Sequence, residues 1–388
     1  MSHVNTVLHQ LLQLVPRHHF ENQVRKYSGD RYVKKFDSFS QFTVLLYAQV
    51  RGLDSLRDIT EGLRAQHSKL YHLGLKSVAR STLADANSAR DYRIYEGLFY
   101  ELLQRFKSLT PHHSFRFKNP LYSLDASIIN LSLSMFPWSD YNKTKGAMKL
   151  HCLLDHRGNI PSFVTVTGGR RHEVRVAKEA DLPLIPDSIV TMDRGYIDFD
   201  FLYNLHQKGV FFVTRTKKNM MYKLTGLHKM PAVDGLVLDL KVRLTGTKSA
   251  LEYPDDLRVI WWYDKEADKE LHFLTNNFRL AASTIAAIYK ARWQIELFFK
   301  WIKQNLKIKT FLGTSPNAVL TQIWVAMCYY LLLSYMKFQS RYRYPLISLT
   351  RILKETIMER LSLFDLLSLD PSKGPPSIRA PIPQMSLF

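Results

Sequence analysis

Cysteine is almost missing from this 388-residue chain: Cys152 and Cys328 are the only two, and both stand among apolar neighbours. That scarcity excludes a disulfide framework and a cysteine-based zinc finger, and it fits a reducing cytoplasm. Carboxylates are also thin on the chain. Against 54 Lys and Arg there are 34 Asp and Glu, a formal net charge of +20 and a pI near 9.7. The cations are spread along the whole length, which suits an extended contact with a polyanion, nucleic acid first and an anionic membrane surface second. The N-terminus lacks a charged-then-apolar leader pattern, and no internal repeat is found. Long apolar runs are short of membrane length. Ile323 to Met336 is free of charge, but its roughly 14 residues fall below the ~20 needed to span a bilayer, so it reads as a buried core helix. What is abundant is apolar matter, 46% hydrophobic and 12% aromatic, enough for an ordered globular chain of two or three domains.

Residues 1–115 read as all-helical. Leu8, Leu11, Leu12 and Leu14 mark a helix broken before Pro16, and Phe42 to Val50 marks a second. Asp54 is placed to cap a helix holding Leu56, Ile59 and Leu63, and Ser81 to cap one running towards Phe106. The last two resemble a helix-turn-helix whose second helix presents Thr82, Asp85, Asn87 and Arg90. Arg17, His18, His19, Arg31, Lys34 and Lys35 would supply a phosphate-contacting face. After Pro111 and Pro120 the texture turns to strands, Leu121 to Met135, Met148 to Leu154 and Ile160 to Val166, separated by turn residues. A helix from Glu173 to Ala180, a strand Ser188 to Met192, a helix Phe199 to Gln207 and a strand Val210 to Val213 follow. Three antiparallel strands, then alternating helices and strands, describe an α/β fold with a ribonuclease H-like mixed sheet. Residues 219–278 turn to β again, through Leu236 to Leu244, Leu257 to Tyr263 and Leu271 to Thr275, as a β-rich insertion. The expected organisation is therefore a helical DNA-binding domain (1–115), a first core part (116–218), the insertion (219–278), a second core part with C-terminal helices (279–365), and a Pro-rich, disordered tail (366–388).

Because carboxylates are scarce, one inside an apolar strand is informative. Asp125 sits in Leu121-Tyr-Ser-Leu-Asp125-Ala-Ser-Ile-Ile, where a lone buried carboxylate needs a proton, a cation or a metal. Asp193 ends Ile189-Val-Thr-Met192, at the carboxyl end of a strand, where α/β folds place ligands; with Gly195 beside it, a turn aspartate is the simpler reading. The third carboxylate, Glu296, lies in Tyr289 to Lys303, a stretch without Gly or Pro that reads as one helix. On that helix Tyr289, Arg292, Glu296, Lys300 and Lys303 share a stripe roughly 80° wide. Trp293, Ile295, Leu297, Phe298, Phe299, Trp301 and Ile302 cover the rest. A solvated stripe laced by i,i+4 pairs is the bland reading; a mostly buried helix whose polar stripe lines a cleft is the sharper one. Three converging carboxylates repel unless a divalent cation neutralises them, and hard oxygen donors suit Mg²⁺ or Mn²⁺.

The spacing Tyr289-x2-Arg292-x3-Glu296-x6-Lys303 resembles the Y-R-E-K signature of the DDE insertion-sequence transposases. Asp125 within Ser-Leu-Asp-Ala-Ser and Asp193 within Met-Asp-Arg-Gly-Tyr resemble that family's two catalytic aspartates. The resemblance implies metal-dependent hydrolysis of a DNA phosphodiester at terminal inverted repeats, attack by the freed 3′-hydroxyl on target DNA, and a homodimeric synaptic complex in the cytoplasm on the nucleoid. It assigns Asp125, Asp193 and Glu296 to the metals, and Tyr289, Arg292, Lys300, Lys303 and Arg194 to DNA. It also implies that Trp261 or Trp262 stacks a flipped base, with no spacing to choose between them. A metal-dependent nuclease without strand transfer and a catalytically silent DNA-binding repressor are the alternatives.

Overall fold

The protein is described by a computed structural model covering residues 5–142, 145–228, 233–306, 308 and 310–368. In chain order the helices α1 to α7 are Val7–Leu12, Arg17–Lys26, Ser38–Arg51, Leu56–Ala65, His67–Leu70, Arg80–Ala89 and Arg93–Phe106. Strands β1 to β4 are Leu121–Leu131, Asp140–Asn142, Lys145–Asp155 and Ile160–Gly168. Then follow α8 Glu173–Glu179, β5 Ile189–Met192, α9 Phe199–Gln207, β6 Phe211–Arg215, β7 Tyr222–Leu227, β8 Leu236–Leu244, α10 Thr247–Glu252, β9 Leu257–Asp264 and β10 Lys269–Thr275. Helices α11 Ala282–Ala291, α12 Trp293–Asn305, α13 Pro316–Gln339, α14 Leu346–Thr356 and α15 Leu363–Ser368 complete it. By their contacts these elements form two compact units, Met1–Leu109 with Asn305–Phe388, and Thr110–Gln304.

The first unit is a helical bundle with α13 as its core. Seventeen apolar and small polar residues of α13 are buried, from Ala318 to Met336, so the helix is apolar all round rather than striped. Ser315 caps it, accepting from the Ala318 amide at 3.2 Å, and Pro316 takes the first position, where its missing N–H costs nothing. Trp324 packs on Phe99 and Tyr100, with ring centroids 5.4 and 6.1 Å apart, and Tyr335 stacks on Phe106 at 4.1 Å. At 24 residues this helix is long and apolar enough to cross a membrane. The charge-free stretch noted above underestimates its length, yet 89% of its apolar window is buried within the protein.

Sequence patterning attached the segments after 279 to the α/β layer; from Asn305 on they group with the N-terminal helices. Asn317 shows why a helix expected to run from Ser81 to Phe106 is cut in two. Its side chain donates to the Asn87 carbonyl at 3.0 Å and to that of Arg90, and accepts from the Tyr92 amide at 3.0 Å. These contacts satisfy the backbone groups that the break between α6 and α7 leaves open. Capping differs as well. Ser55, not Asp54, caps α4, and α6 starts after Ala79 with no side-chain cap. Asn87 and Arg90 do not face outwards: they are 3% and 8% exposed, and Gln41 Nε2 donates to the Asn87 side-chain Oδ1 at 2.8 Å.

The second unit is built on one ten-stranded sheet in the order β2-β3-β1-β5-β6-β10-β9-β8-β7, with β4 also paired to β3. Within it β4, β3 and β1 are antiparallel neighbours, and β5 and β6 run parallel to β1. This is the ribonuclease H-like mixed sheet. Strands β7 to β10 extend the same sheet, since β10 pairs antiparallel with β6. Strand alternation sends Leu121, Ile189, Val213, Ile260 and Phe273 to one face, under Ile285 and Ile288 of α11. Tyr122, Leu124, Val190 and Met192 go to the other face, under Leu202 and Leu205 of α9. β1 stops at Leu131 rather than running to Met135. Of the Pro-rich tail, residues 369–388 lie outside the described residues.

The packing of α13 makes one outcome definite. Deleting residues 1–109 strips its partners α3, α6 and α7 and exposes a 24-residue apolar helix. The truncated chain is expected to aggregate on size exclusion, and a monodisperse, soluble product would contradict the bundle described here.

Candidate active site

The site begins with a register. β1 and β5 pair in parallel through Leu121↔Ile189, Tyr122↔Val190, Ser123↔Thr191 and Leu124↔Met192, and there the pairing ends. The next residue on each strand is an aspartate, Asp125 and Asp193, so the two stand side by side where the strands part. Parity puts both on the face of Leu121 and Ile189, the face that α11 covers. Asp125 Oδ1 accepts from the Ala126 amide at 2.8 Å; Asp193 Oδ1 accepts from that of Gly195 at 2.5 Å, opening the short turn Arg194–Tyr196.

From above this face comes Arg292. The stretch Tyr289 to Lys303 is not one uninterrupted helix: α11 ends at Ala291 and α12 begins at Trp293. The Arg292 amide bonds Tyr289 O and the Ile295 amide bonds Arg292 O, both at 3.1 Å, so the chain tightens to i→i−3 spacing at this residue. Neither Gly nor Pro marks the place. The guanidinium reaches Glu296 Oε1 at 2.6 Å through Nη2 and Asp125 Oδ2 at 3.4 Å through Nη1. It lies 5.6 Å from the centroid of Tyr289, whose ring leans on Phe273 at 5.2 Å. The side chains of Arg292, Asp125 and Glu296 are 14, 18 and 32% exposed, and Arg292 Nε is buried with no hydrogen-bond partner among the described residues.

Burial dominates the electrostatics of Asp125. Desolvation pushes its carboxyl from 3.8 up to about 7, opposed by the Ala126 amide and Arg292 and assisted by the negative charges of Asp193 and Glu173. Glu173 escaped the sequence reading. It opens α8, pairs with Lys149 at 3.3 Å, and its charge also acts on buried Tyr196, whose hydroxyl is raised chiefly by burial. The argument from an acid inside an apolar strand could not find it, because it follows Arg170, Arg171 and His172 at the start of a helix.

Lys300 is exposed and Lys303 half-buried on α12, and Arg194 is exposed next to Asp193. The expectation that the rest of α12 is buried fails at Trp293 and Leu297, which are 55% and 43% exposed. Alternation along β9 separates the two tryptophans. Trp261 stacks on His272 at 4.5 Å and 7° and packs against the α9-side core. Trp262 faces the other way and lines a cleft of 560 Å³ with Phe273, Tyr289, Arg292 and Trp293. Among the described residues no three carboxylates, imidazoles or thiols converge closely enough to hold a metal ion as they stand. The donor set itself is all hard oxygen, and Asp125 and Glu296 already share one cation, the chemistry that suits a divalent ion of the Mg²⁺ or Mn²⁺ type.

The site thus joins a ribonuclease H-like sheet, paired aspartates at the parting of β1 and β5, and a glutamate held to one of them through an arginine. Residues 116–332 match the Transposase DDE domain family, more than half of the chain, and the chain belongs to that family. Residues 3–76 match a domain of unknown function, DUF4372. The chain is 29% identical over 288 residues to a protein of Sinorhizobium fredii named as a transposase, y4zB, covering 73% of this chain and 79% of that one. It is 28% identical over 270 residues to a protein of Geobacillus stearothermophilus named as a transposase for insertion sequence element IS5377, covering 69% and 70%. Among solved structures it is similar to the piggyBac transposase in a synaptic complex with hairpin DNA. The TM-score there is 0.43 and the identity 11%, over 92% of this chain and 86% of that one.

The raised Asp125 carboxyl carries a testable sign. The folded state binds a proton that the unfolded state has released between about pH 4 and 7, so stability is greatest at the low end and falls as pH rises through 7. In metal-free buffer Asp125→Asn should therefore be more stable than wild type at pH 8, by on the order of 2–4 kcal/mol, with a higher melting temperature, and no more stable near pH 4. Equal melting of the two at both pH values would contradict the burial argument.

Proposed function

We propose that this transposase binds the terminal inverted repeats of an insertion sequence, hydrolyses the phosphodiester at the element ends with a divalent metal, and joins the freed 3′ ends to target DNA. The observation that carries this reading is the adjacency of Asp125 and Asp193 one residue past the last β1–β5 pair, with Glu296 linked to Asp125 through Arg292. Asp125, Asp193 and Glu296 would hold Mg²⁺ or Mn²⁺, which supplies polarisation of phosphoryl oxygens and a more acidic attacking water. In the first reaction water adds to phosphorus and the bond to the 3′-oxygen breaks, leaving a 3′-hydroxyl. In the second that hydroxyl adds to a target phosphorus, its proton passing to the target 3′-oxygen that leaves.

The chain's own cations position the DNA. Arg292 shares its guanidinium between two carboxylates, and a phosphate offers it the same two-oxygen geometry. Tyr289 lies beneath that guanidinium and limits its rotation. Lys300, Lys303 and Arg194 would contact phosphates flanking the scissile bond. Of the two tryptophans, Trp262 is the one we assign to stacking a flipped base, because its face opens on the cleft that Tyr289 and Arg292 also line. A homodimer would bring two ends together, in the cytoplasm on the nucleoid. A nuclease without strand transfer would use the same residues and differ only in yielding no joined products.

Glu296 and Lys303 separate these roles on one helix. With Mg²⁺ and element-end DNA, Glu296→Gln should bind the end near-normally and cleave at no protein concentration. Lys303→Ala should weaken end binding, lower the salt slope by about one unit, and recover cleavage partly as protein is raised, since a phosphate clamp contributes mainly positioning. Full cleavage by Glu296→Gln would sink the assignment, and joined products from wild type decide between transposition and simple cutting.

A further inference from the structure

The segment between α2 and α3, in the part of the chain that matches a domain of unknown function, takes no part in the chemistry above. It leaves α2 after Arg25 and Lys26 and enters α3 at the cap Asp37. One buried side chain holds both of its ends. Arg90, 8% exposed, donates through Nε to the Gly29 carbonyl at 3.2 Å and through Nη1 to that of Asp37 at 3.2 Å and to Gln41 Oε1 at 2.9 Å. Its Nη2 donates to the Phe36 carbonyl. The segment's one internal carboxylate is used by the same anchor: Asp30 accepts from the Ser38 amide and hydroxyl at 2.7 and 2.8 Å and stands 3.6 Å from Arg90 Nε.

The tip is thereby left cationic and outward. Arg31, Tyr32, Val33, Lys34 and Lys35 are all exposed, Tyr32 at 86%. Among the described residues Arg31, Lys34 and Lys35 form no ion pair with a carboxylate. Arg31 instead lies 5.0 Å from the Tyr32 ring centroid and donates to its hydroxyl at 3.2 Å. Ser28 and Tyr32 take positive φ of 51° and 63°, so the turn is tight at two non-glycine positions. Between this tongue and α6 lies a cleft of 720 Å³, with Arg31, Lys34 and Lys35 on one wall and Thr82 and Asp85 on the other. A concave, cation-lined groove with a projecting aromatic suits a ridge of phosphates better than a flat bilayer, and Asp85 confines the anion to the tongue side.

We propose that the tongue grips the backbone of duplex DNA, Arg31, Lys34 and Lys35 contacting phosphates and Tyr32 packing on the sugar face between them. The proposal rests on the reading that this chain acts on DNA, and names a binding site that shares no residue with the catalytic one. Fluorescence anisotropy with a labelled random-sequence duplex, over about 50 to 200 mM salt, tests it on the full chain. Against wild type, Arg31→Ala/Lys34→Ala/Lys35→Ala should lower the slope of log affinity against log salt by about 2–3 units, at ~0.9 per phosphate. Tyr32→Ala should weaken binding several-fold without changing the slope. Both variants should keep the wild-type melting temperature, because the altered side chains are exposed. A wild-type slope in the triple variant overturns the proposal while leaving the transposase reading intact. Wild type that binds DNA with no salt dependence overturns both. Loss of binding to phosphatidylserine vesicles with DNA binding unchanged would assign the surface to membranes and overturn it as well.

Discussion

A carboxylate set into the interior end of a sheet needs a positive charge close by, and Asp125 has Arg292. Because burial outweighs that attraction, its carboxyl titrates near neutrality, and the pair is held together by the fold rather than by its own energy. The holding is visible on every side. Phe273 supports Tyr289, Tyr289 lies under Arg292, and Glu296 takes the other edge of the guanidinium. The start of α11 is fixed by a second buried arginine. Arg258 binds Asp239 through two oxygens at 2.8 and 2.6 Å and donates to the carbonyls of Asn277 and Leu280 at 2.9 and 2.6 Å. Strands β8 and β9 therefore do more than lengthen the sheet: they pin the turn that launches α11, the helix that ends just before Arg292. Removing one partner of the buried Arg258–Asp239 pair is expected to cost about 3–5 kcal/mol, since the other charge is left buried.

Under the proposed function, metal chemistry would give this arrangement a purpose. A structural ion pair could be replaced by apolar residues with little loss of stability. An acidic edge whose charge is met by a guanidinium would have a different use under that reading, because a divalent cation and a DNA phosphate together present the complementary charges to the same groups. Glu173, between the two aspartates in sequence and electrically coupled to Asp125, adds negative potential to that edge. Lys149 at 3.3 Å offsets part of it.

Much of this was readable from residues alone. The scarcity of acids drew attention to Asp125 and Asp193, and period-two alternation found Leu236–Leu244 with both ends in place. Long-range pairing was not readable. That β10 lies along β6 depends on partners about sixty residues apart. Which tryptophan faces the cleft depends on the register of β9, which no local pattern reveals. Arg90 looked like a surface cation because its carbonyl partners, at Gly29 and Phe36, are distant in sequence. The break at Arg292 carries no Gly or Pro signal. The 24-residue α13 shows the same limit from another side: its all-round apolarity says that it is buried, but not among which helices.

The central claim is that Asp125, Asp193 and Glu296 form one cation site for which Arg292 competes. Titration of the DNA-free protein with Mn²⁺, followed by the electron paramagnetic resonance of the free ion, addresses it without relying on activity. Saturable binding by wild type is expected, lost in Asp125→Asn and Glu296→Gln and tightened in Arg292→Ala. Binding that is unchanged in all three variants, or absent from wild type and Arg292→Ala alike, would contradict it.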